Sequence, residues 1–278
     1  MKNRMNGRIS DIHYETFKRG SKTYFNSSLF FPKSVRAGVF VLYGFVRTAD
    51  NFVDDVPADA EGFRRFRELY HGALRGRGTQ DPIIDSFVEL HRRKRFDPRW
   101  AEAFLHSMEM DLHKKAYDRL EETLEYIYGS AEVIGLFMAR IMDLPEEADA
   151  PACMLGRSMQ YINFIRDIDE DLELGRRYLP LEDTGLASLD RQSAEKQPEA
   201  FERFVRHHLE YYGGWQKEAE RGFPLIPRRY RIPIKTASDM YNWTAEQIAG
   251  NPAVVFARKV KPSRGRIVLQ VLKNVAAA

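Results

Sequence analysis

The chain has 278 residues, with 43 Lys and Arg against 40 Asp and Glu, so its formal net charge is only +3. Because carboxylates nearly equal the basic side chains in number, the composition argues against a nucleic-acid binder, which concentrates a basic excess on one surface. The hydrophobic fraction of 44% and the charged fraction of 30% are typical of a globular protein and exclude a disordered or fibrous one.

Cysteine content and apolar runs indicate the cellular compartment. Cys153 is the only cysteine, which excludes an intramolecular disulfide and a thiolate zinc cluster. The N-terminal segment carries acids and lacks the apolar run of a secretory signal. No apolar stretch reaches the roughly 20 residues that span a bilayer. We therefore expect a cytoplasmic protein, with at most peripheral contact at the inner membrane surface.

Apolar residues recur at helical spacing through most of the chain, whereas alternating strand patterns with Asn-Gly or Asp-Gly turns are absent. This pattern predicts an all-α protein with a single domain over residues 1–278. We expect helices at residues 35–55, 61–75, 82–95, 98–115, 121–143, 149–174, 193–220 and 233–249, followed by a shorter C-terminal pair. The irregular stretch 175–198 follows the most distinctive motif, which indicates an active-site loop.

The first predicted helix, 35–55, carries one polar stripe on an otherwise apolar surface. At about 100° per residue, Tyr43, Arg47, Asp50 and Asp54 fall within an arc of roughly 60°. An apolar helix of this kind is largely buried, and buried carboxylates need a cation or hydrogen bonds to compensate their desolvation.

The predicted helix 149–174 repeats this pattern with a second row of polar side chains on one face. The row comprises Gln160, Asn163, Asp167, Glu170 and Asp171, with Arg166 at its edge.

Paired carboxylates on apolar helices suit magnesium, which takes hard oxygen ligands and completes its shell with water and phosphate oxygens. Carboxylates four residues apart on a helix lie about 5–6 Å apart and can share metal ions. Arg47 and Arg166 are placed to hold a phosphate group. A metal and an arginine beside an apolar cavity can ionise an allylic diphosphate. A single Asp-x-x-x-Asp motif is more often part of a solvated helix face. Arg176 and Arg177 are interpreted as solvated charges at a helix end.

These residues resemble the motifs of the squalene and phytoene synthases. Gln160-x-x-Asn163-x-x-Arg166-Asp167-x-x-Glu170-Asp171, followed by Gly175-Arg176-x-Tyr178-Leu179-Pro180, is similar to the second family signature. The stripe from Tyr43 to Asp54 resembles the first aspartate motif, and Ser21-Lys22-x-Tyr24-Phe25 resembles the N-terminal substrate-binding segment. Tyr128-Gly129-x-Ala131-x-Val133-x-Gly135 resembles the small-residue helix that lines the central cavity. Weaker matches are Tyr241, as a cavity tyrosine, and Arg258, as a diphosphate-binding arginine.

The resemblance implies a class I isoprenoid synthase helical bundle with a central apolar cavity. The catalytic residues that it implies are Asp50, Asp54, Asp167, Asp171, Tyr43 and Arg47. Substrate binding is implied for Ser21, Arg47, Gln160, Asn163, Arg166, Tyr241 and Arg258. Mg²⁺ or Mn²⁺ is expected at Asp50, Asp54, Asn163, Asp167 and Asp171. Glu132 stands where the family often has glycine, which leaves the shape of the cavity and hence the prenyl length open.

The implied reaction joins two prenyl diphosphates head to head through a cyclopropyl diphosphate intermediate. Proton loss then gives phytoene or dehydrosqualene, whereas hydride from NADPH gives squalene. The motif context is closer to prokaryotic phytoene synthases. We therefore expect a prenyltransferase that converts two geranylgeranyl diphosphates to phytoene through prephytoene diphosphate, without NADPH. The alternative is a synthase of dehydrosqualene, presqualene diphosphate or squalene from two farnesyl diphosphates.

Other classes fit less well. Prenyl elongases and terpene cyclases usually carry Asp-Asp-x-x-Asp, which this chain lacks. A ferritin-like bundle needs paired Glu-x-x-His motifs, and Glu68-x-x-His71 is the only one. A helical isoprenoid-binding protein without activity stays open as the non-enzyme alternative. Oligomeric state is open as well, and the basic groups 92–95 and 228–231 are candidates for contact with anionic lipid headgroups.

Overall fold

The structure is a computed structural model that describes residues 12–17 and 31–277, and this part of the chain is all-helical. Within it, β-pairing is limited to one isolated bridge between Ala116 and Arg177. A helical segment at residues 12–17 comes first. The helices that follow are α1 (Lys33–Asp54), α2 (Ala60–Leu74), α3 (Pro82–Lys94), α4 (Pro98–His113), α5 (Leu120–Ile127), α6 (Val133–Ile141), α7 (Asp149–Arg166), α8 (Ile168–Glu173), α9 (Arg191–Lys196), α10 (Pro198–Glu220), α11 (Arg228–Gly250), α12 (Val254–Ala257) and α13 (Arg264–Ala277).

The all-α prediction is confirmed, and three predicted helices are divided. A π-helical turn at Tyr128–Glu132 separates α5 from α6. The helix expected at 149–174 breaks at Asp167, whose φ of −100° and ψ of 17° are not helical. The helix expected at 193–220 breaks at Gln197, because the residue before a proline is driven out of the helical region.

Aspartates cap the N-termini of α3 and α4. The Asp81 carboxylate accepts hydrogen bonds from the backbone N–H groups of Ile83 and Ile84, at 2.8 and 3.2 Å. The Asp97 carboxylate accepts one from the N–H of Arg99 at 2.9 Å. Each aspartate precedes a proline at the first helical position. Such caps stabilise a helix by about 1 kcal/mol each.

Buried side chains form two apolar clusters. In the first, Phe45 of α1 stacks on Phe87 of α3 with ring centroids 3.9 Å apart. In the second, Phe164 of α7 stacks on Tyr178 at 4.2 Å. Helix α7 takes part in both clusters, since Ala152 near its start packs against the first and its last two turns belong to the second.

Glycines allow α7 to approach its neighbours until backbone meets backbone. A Cβ atom on Gly135 of α6 would lie 2.2 Å from the carbonyl oxygen of Ala152, and one on Gly156 would lie 2.3 Å from that of Ala131. In the π-helical turn, a Cβ atom on Gly129 would lie 2.1 Å from the carbonyl oxygen of Ala103 in α4. Only glycine fits at these three crossings.

None of the helices in the described part of the chain has both the length and the apolar character needed to cross a bilayer.

Candidate active site

A cavity of about 380 Å³ lies at the centre of the bundle, between α1, α6, α7, α10 and α11. Its wall includes α7 residues from just before the helix, at Ala148, to Asn163. Fifteen residues at a helical rise of about 1.5 Å each correspond to roughly 22 Å. The lining is almost entirely apolar. Three of its polar side chains, Tyr43, Gln160 and Asn163, lie towards the carboxylate end of α1 and α7. The structure therefore contains the predicted central apolar cavity.

The last two turns of α1 carry the first carboxylate cluster at this polar end. Asp50 forms a salt bridge with Arg47, and its side chain is 29% exposed. Burial, followed by the neighbouring charge of Asp54, raises the pKa of Asp50 to about 6. Tyr43, one turn towards the cavity, stacks on Phe17 with a centroid distance of 3.9 Å. Burial also raises the pKa of the Tyr43 hydroxyl, which keeps it protonated.

The second cluster lies where α7 passes into α8. The guanidinium of Arg166 donates from Nε to the Asp167 carboxylate at 2.8 Å. Asp171 lies one turn further along, and its backbone N–H donates to the carbonyl of Asp167 at 2.8 Å. Burial, followed by the charge of Asp167, raises the pKa of Asp171 to about 8. Each cluster thus holds a carboxyl group whose ionised form is destabilised by burial, and a bound cation would stabilise that form.

Arg176 connects the two clusters. Gly175, at a φ of 71°, turns the chain after α8 in a conformation that favours glycine. The Arg176 guanidinium then donates to the Asp54 carboxylate at 2.9 Å and to the carbonyl of Val53 at 2.8 Å. Its side chain is only 11% exposed.

The interpretation of Arg176 and Arg177 as solvated helix-end charges is therefore wrong. Arg177 is also largely buried, and it donates to the carbonyls of Tyr117 and Leu179 at 2.7 and 2.8 Å. Both guanidinium groups replace water with backbone carbonyl acceptors, because the segment after α8 folds back onto α1 and onto the loop after α4.

Asp111 of α4 contacts the segment that follows α8. Its role was not predicted from the sequence. Its carboxylate is 3% exposed and accepts hydrogen bonds from the hydroxyls of Tyr126 and Tyr178 at 2.7 and 2.8 Å. The sequence did contain a signal for it, because Asp111 follows Phe104 by seven residues and so lies on the apolar face of α4, where a carboxylate is expected to have a specific partner.

Near the C-terminus, a second cation lies next to Arg258, the residue expected to bind diphosphate. That side chain is exposed, whereas Nζ of the adjacent Lys259 lies 3.4 Å from the Asp167 carboxylate and also pairs with Glu170. Tyr241 packs at the edge of the second apolar cluster and is not among the described residues that line the cavity. Ser21, with the segment around it, lies outside the described residues.

The departure at Glu132 does not block the cavity. Its buried carboxylate pairs with Nε of Arg157 at 2.7 Å, and the residue is not part of the described cavity lining. Ser130, in the same π-helical turn, does line the cavity, and its hydroxyl is buried without a hydrogen-bond partner among the described residues.

The residues at the polar end fit a divalent metal ion. Within the described part of the chain, no three carboxylate, histidine or cysteine side chains converge on one point. Mg²⁺ does not require this, because it binds through one or two carboxylates and takes its other ligands from water and phosphate. The buried Oδ1 of Asn163 has no hydrogen-bond partner in the described structure. Together with the raised pKa values of Asp50 and Asp171, this unpartnered oxygen matches a site that a cation completes.

Solved structures share the helical architecture of this chain, which is the all-α isoprenoid synthase fold. A dehydrosqualene synthase in complex with a ligand superposes with a TM-score of 0.88 at 21% identity, covering 98% of this chain and 96% of that one. A squalene synthase from Alicyclobacillus acidocaldarius gives a TM-score of 0.77 at 23% identity, covering 94% and 97%. At these identities the likeness establishes the fold.

The family follows from sequence. The family model described as squalene/phytoene synthase matches residues 17–266, so the chain belongs to the squalene/phytoene synthase family and is a prenyltransferase of that type. A phytoene synthase of Pseudescherichia vulneris is 28% identical over 279 residues, covering 95% of this chain and 90% of the relative. A 15-cis-phytoene synthase of Pantoea ananas is 31% identical over 242 residues, covering 82% and 78%.

Proposed function

We propose that the protein condenses two geranylgeranyl diphosphates head to head into phytoene, through prephytoene diphosphate, with Mg²⁺. The observation that carries the proposal is the position of two carboxylate clusters, joined by Arg176, at one end of a long apolar cavity. Such a site matches a substrate with a charged head and a long hydrocarbon tail. The relatives named phytoene synthase, at 28% and 31% identity, support the twenty-carbon substrate.

The metal would be held by Asp50, Asp54, Asn163, Asp167 and Asp171. When bound, Mg²⁺ or Mn²⁺ supplies Lewis-acid stabilisation of the departing pyrophosphate.

The cations of the chain bind the two diphosphates. Arg47, Arg166 and Arg176 each contact a carboxylate of a cluster, and the planar guanidinium group suits the geometry of phosphate oxygens. Lys259 contributes a point charge at the second cluster. Ser21, Gln160, Tyr241 and Arg258 complete the proposed substrate-binding set.

The apolar wall excludes water from the hydrocarbon while charge develops on it. Loss of pyrophosphate from one substrate gives an allylic cation, which alkylates the double bond of the second substrate and loses a proton to form the cyclopropane. Loss of the second pyrophosphate allows rearrangement, and release of one more proton gives phytoene. No reductant enters this balance, so NADPH is not required. Tyr43, protonated and stacked at the mouth of the cavity, positions the diphosphate next to Arg47.

The test is product identification by chromatography and mass spectrometry. The protein is incubated with Mg²⁺ and geranylgeranyl or farnesyl diphosphate, with and without NADPH. We expect phytoene and pyrophosphate from the first substrate, without dependence on NADPH. A C30 hydrocarbon alone would overturn the chain length, and absence of pyrophosphate would favour an isoprenoid-binding protein.

Variants test the site itself. Asp50→Ala and Asp167→Ala should each abolish turnover with an unchanged circular dichroism spectrum. Asp85→Ala, which removes an exposed carboxylate in the first turn of α3, is the matched control and should retain full activity. Full activity in either cluster variant would contradict the proposed site.

A further inference from the structure

The C-terminal helix α13 exposes its apolar side chains. Val268, Leu269, Leu272 and Val275 are 58%, 55%, 61% and 46% exposed. At about 100° per residue, Val268, Leu272 and Val275 fall within an arc of roughly 60°, and Leu269 extends the stripe on one side. A helix on a globular protein normally turns such a stripe towards the core.

Polar contacts instead hold α13 against α11. Nδ2 of Asn274 donates to the Asp239 carboxylate at 2.8 Å and to the Thr236 hydroxyl at 3.1 Å. Nε2 of Gln270 donates to the same carboxylate at 2.7 Å. These bonds fix which face of α13 meets the protein. The apolar stripe is therefore held outward by specific contacts, and its exposure is not the result of loose packing of α13.

The charged residues of α13 and of the segment that leads into it have one sign. Glu246 is the last acidic residue of the sequence, and every charged side chain after it is basic. These cations are Arg258, Lys259, Lys261, Arg264, Arg266 and Lys273. On the helical wheel, Arg264 borders one edge of the stripe, whereas Lys273 and Arg266 border the other. Arg266 is held over the ring of Trp243 at 4.8 Å.

We propose that α13 docks onto an anionic lipid bilayer, with its apolar stripe in the acyl boundary and its cations at the headgroups. An apolar face bordered by lysine and arginine is the arrangement of interfacial helices. Each cation near an anionic surface strengthens binding about fivefold. A second copy of the chain is a poorer occupant, because a two-fold interface brings the same patch of each subunit together and so opposes like charges.

The docked surface lies one helix away from the cavity. Pro233, Ile234 and Ala237 of α11 line the cavity, while Thr236 and Asp239 of the same helix hold α13. If the product is a long hydrocarbon, as proposed above, this places the bilayer beside the wall that encloses it. Membrane docking itself does not depend on the reaction.

Three of the basic side chains expected from sequence to meet lipid contact the protein itself. Arg92 donates to the carbonyl of Ala73 at 2.9 Å, and Lys94 pairs with Asp143 at 2.8 Å. Arg231 donates to the carbonyl of Ile226 at 3.1 Å. The surface at α13 therefore replaces them as the proposed lipid contact.

Vesicle co-sedimentation of the full chain without substrate tests this proposal separately from the reaction. The probes are phosphatidylcholine vesicles with and without phosphatidylglycerol. We expect binding to the anionic vesicles that weakens as salt rises. The double variant Leu269→Ser/Leu272→Ser should weaken it at least about tenfold, and Arg264→Gln/Lys273→Gln by a smaller factor.

The matched control is Leu69→Ser/Leu225→Ser, since both leucines are 37% exposed on other surfaces. The control should bind as the unaltered chain does, and circular dichroism should show that all variants fold. Equal vesicle binding by Leu269→Ser/Leu272→Ser would overturn the proposal. So would light scattering that shows a dimer which this variant converts to a monomer, because a second copy would then cover the stripe.

Discussion

Arg176 shows how one side chain can decide whether two sequence motifs form one site. Its guanidinium reaches Asp54 of the first motif, 122 positions earlier, from a turn that directly follows the second motif. The same group is close enough to Asp171 to oppose the rise in that carboxyl pKa. The two aspartate clusters are therefore connected electrostatically before any ligand is present.

Arg176→Gln should lower kcat/KM by on the order of 10²- to 10³-fold, as removal of a preorganised charge-stabilising donor does. The reason is that Gln keeps a polar side chain but removes the cation between the clusters. Steady-state kinetics with a pyrophosphate-release assay provide the measurement. Arg119→Gln, in an exposed arginine, should leave kcat/KM unchanged. Equal kinetics of the two variants would mean that Arg176 is structural only.

His208 makes the folded state sensitive to acid. The ring is 2% exposed and is hydrogen-bonded to the hydroxyl of Tyr161. Burial, followed by the charge of His207, lowers the pKa of His208 to about 3. The unfolded chain, with an ordinary pKa of about 6.5, binds the proton more readily, so the stability contributed by this group is present above pH 6.5 and falls as pH decreases towards 3.

We expect the free energy of unfolding to lose about 1.4 kcal/mol per pH unit from this group below pH 6. Urea titrations between pH 7 and 4.5 measure that slope. His208→Gln should reduce it by this amount, whereas His106→Gln, in an exposed ring, should keep the slope of the unaltered chain. An unchanged slope in His208→Gln would show that the ring is not protonated on unfolding.

Both carboxylate clusters could be predicted from sequence because their members are close together along the chain. Those of the first cluster share one face of α1, and those of the second lie on either side of the break at Asp167. Arg176, Asp111 and Lys259 could not, because their roles depend on partners from distant segments. The sequence shows which residues are charged, but it does not show which groups from distant segments will accept their hydrogen bonds. Solvation was therefore the default interpretation for Arg176.

At the scale of helices, the start and end of most elements followed from sequence, whereas internal breaks did not. The starts of α3 and α4 coincide with the predicted ones because Pro82 and Pro98 mark the first helical turn. The π-helical turn and the break at Asp167 both lie inside stretches whose apolar residues continue at helical spacing, with no proline at either break. Such stretches were therefore predicted as single helices.

The crossing at Gly129 predicts a large effect from a small substitution. Gly129→Ala should destabilise the protein by about 1–3 kcal/mol, because the added methyl group would meet the backbone of α4, which has to move. Gly213→Ala in α10 is the matched control, since no atom lies within 4 Å of its added Cβ. Alanine is the better helix former, so that variant should gain about 0.5–1 kcal/mol. Chemical denaturation measures both, and equal signs would contradict the close crossing.

For the whole molecule, the sharing of α7 by both apolar clusters has a consequence for folding. We propose that the chain is one domain, because neither cluster can lose α7 without exposing apolar surface of the other. Calorimetry should show a single unfolding transition. Phe87→Leu in the first cluster and Phe204→Leu in the second should both lower the same Tm. Two transitions, each sensitive to one variant, would show separate domains.

The end of the cavity opposite the carboxylates should set the prenyl length. Ala148 lies there, buried and at the start of α7. Ala148→Phe should fill this end and shift the ratio of kcat/KM for farnesyl over geranylgeranyl diphosphate upward by on the order of 10-fold. Competition assays with both substrates measure the ratio within one protein sample. Ala58→Phe, at an exposed position, should leave it unchanged, and an equal ratio in both variants would place the length limit elsewhere.

The glycine crossings of α7 affect the width of the cavity, which is a different property from its length. Where Gly135 meets Ala152 and Gly156 meets Ala131, main chain touches main chain on the cavity wall. No rotamer change can widen the tunnel there, because no side chain stands between the helices. The backbone therefore fixes the width of the cavity at these crossings, whereas we expect its usable length to depend on single side chains such as Ala148 at the end opposite the carboxylates. We therefore expect this protein to tolerate a change in the number of isoprene units better than substituents that thicken the prenyl tail.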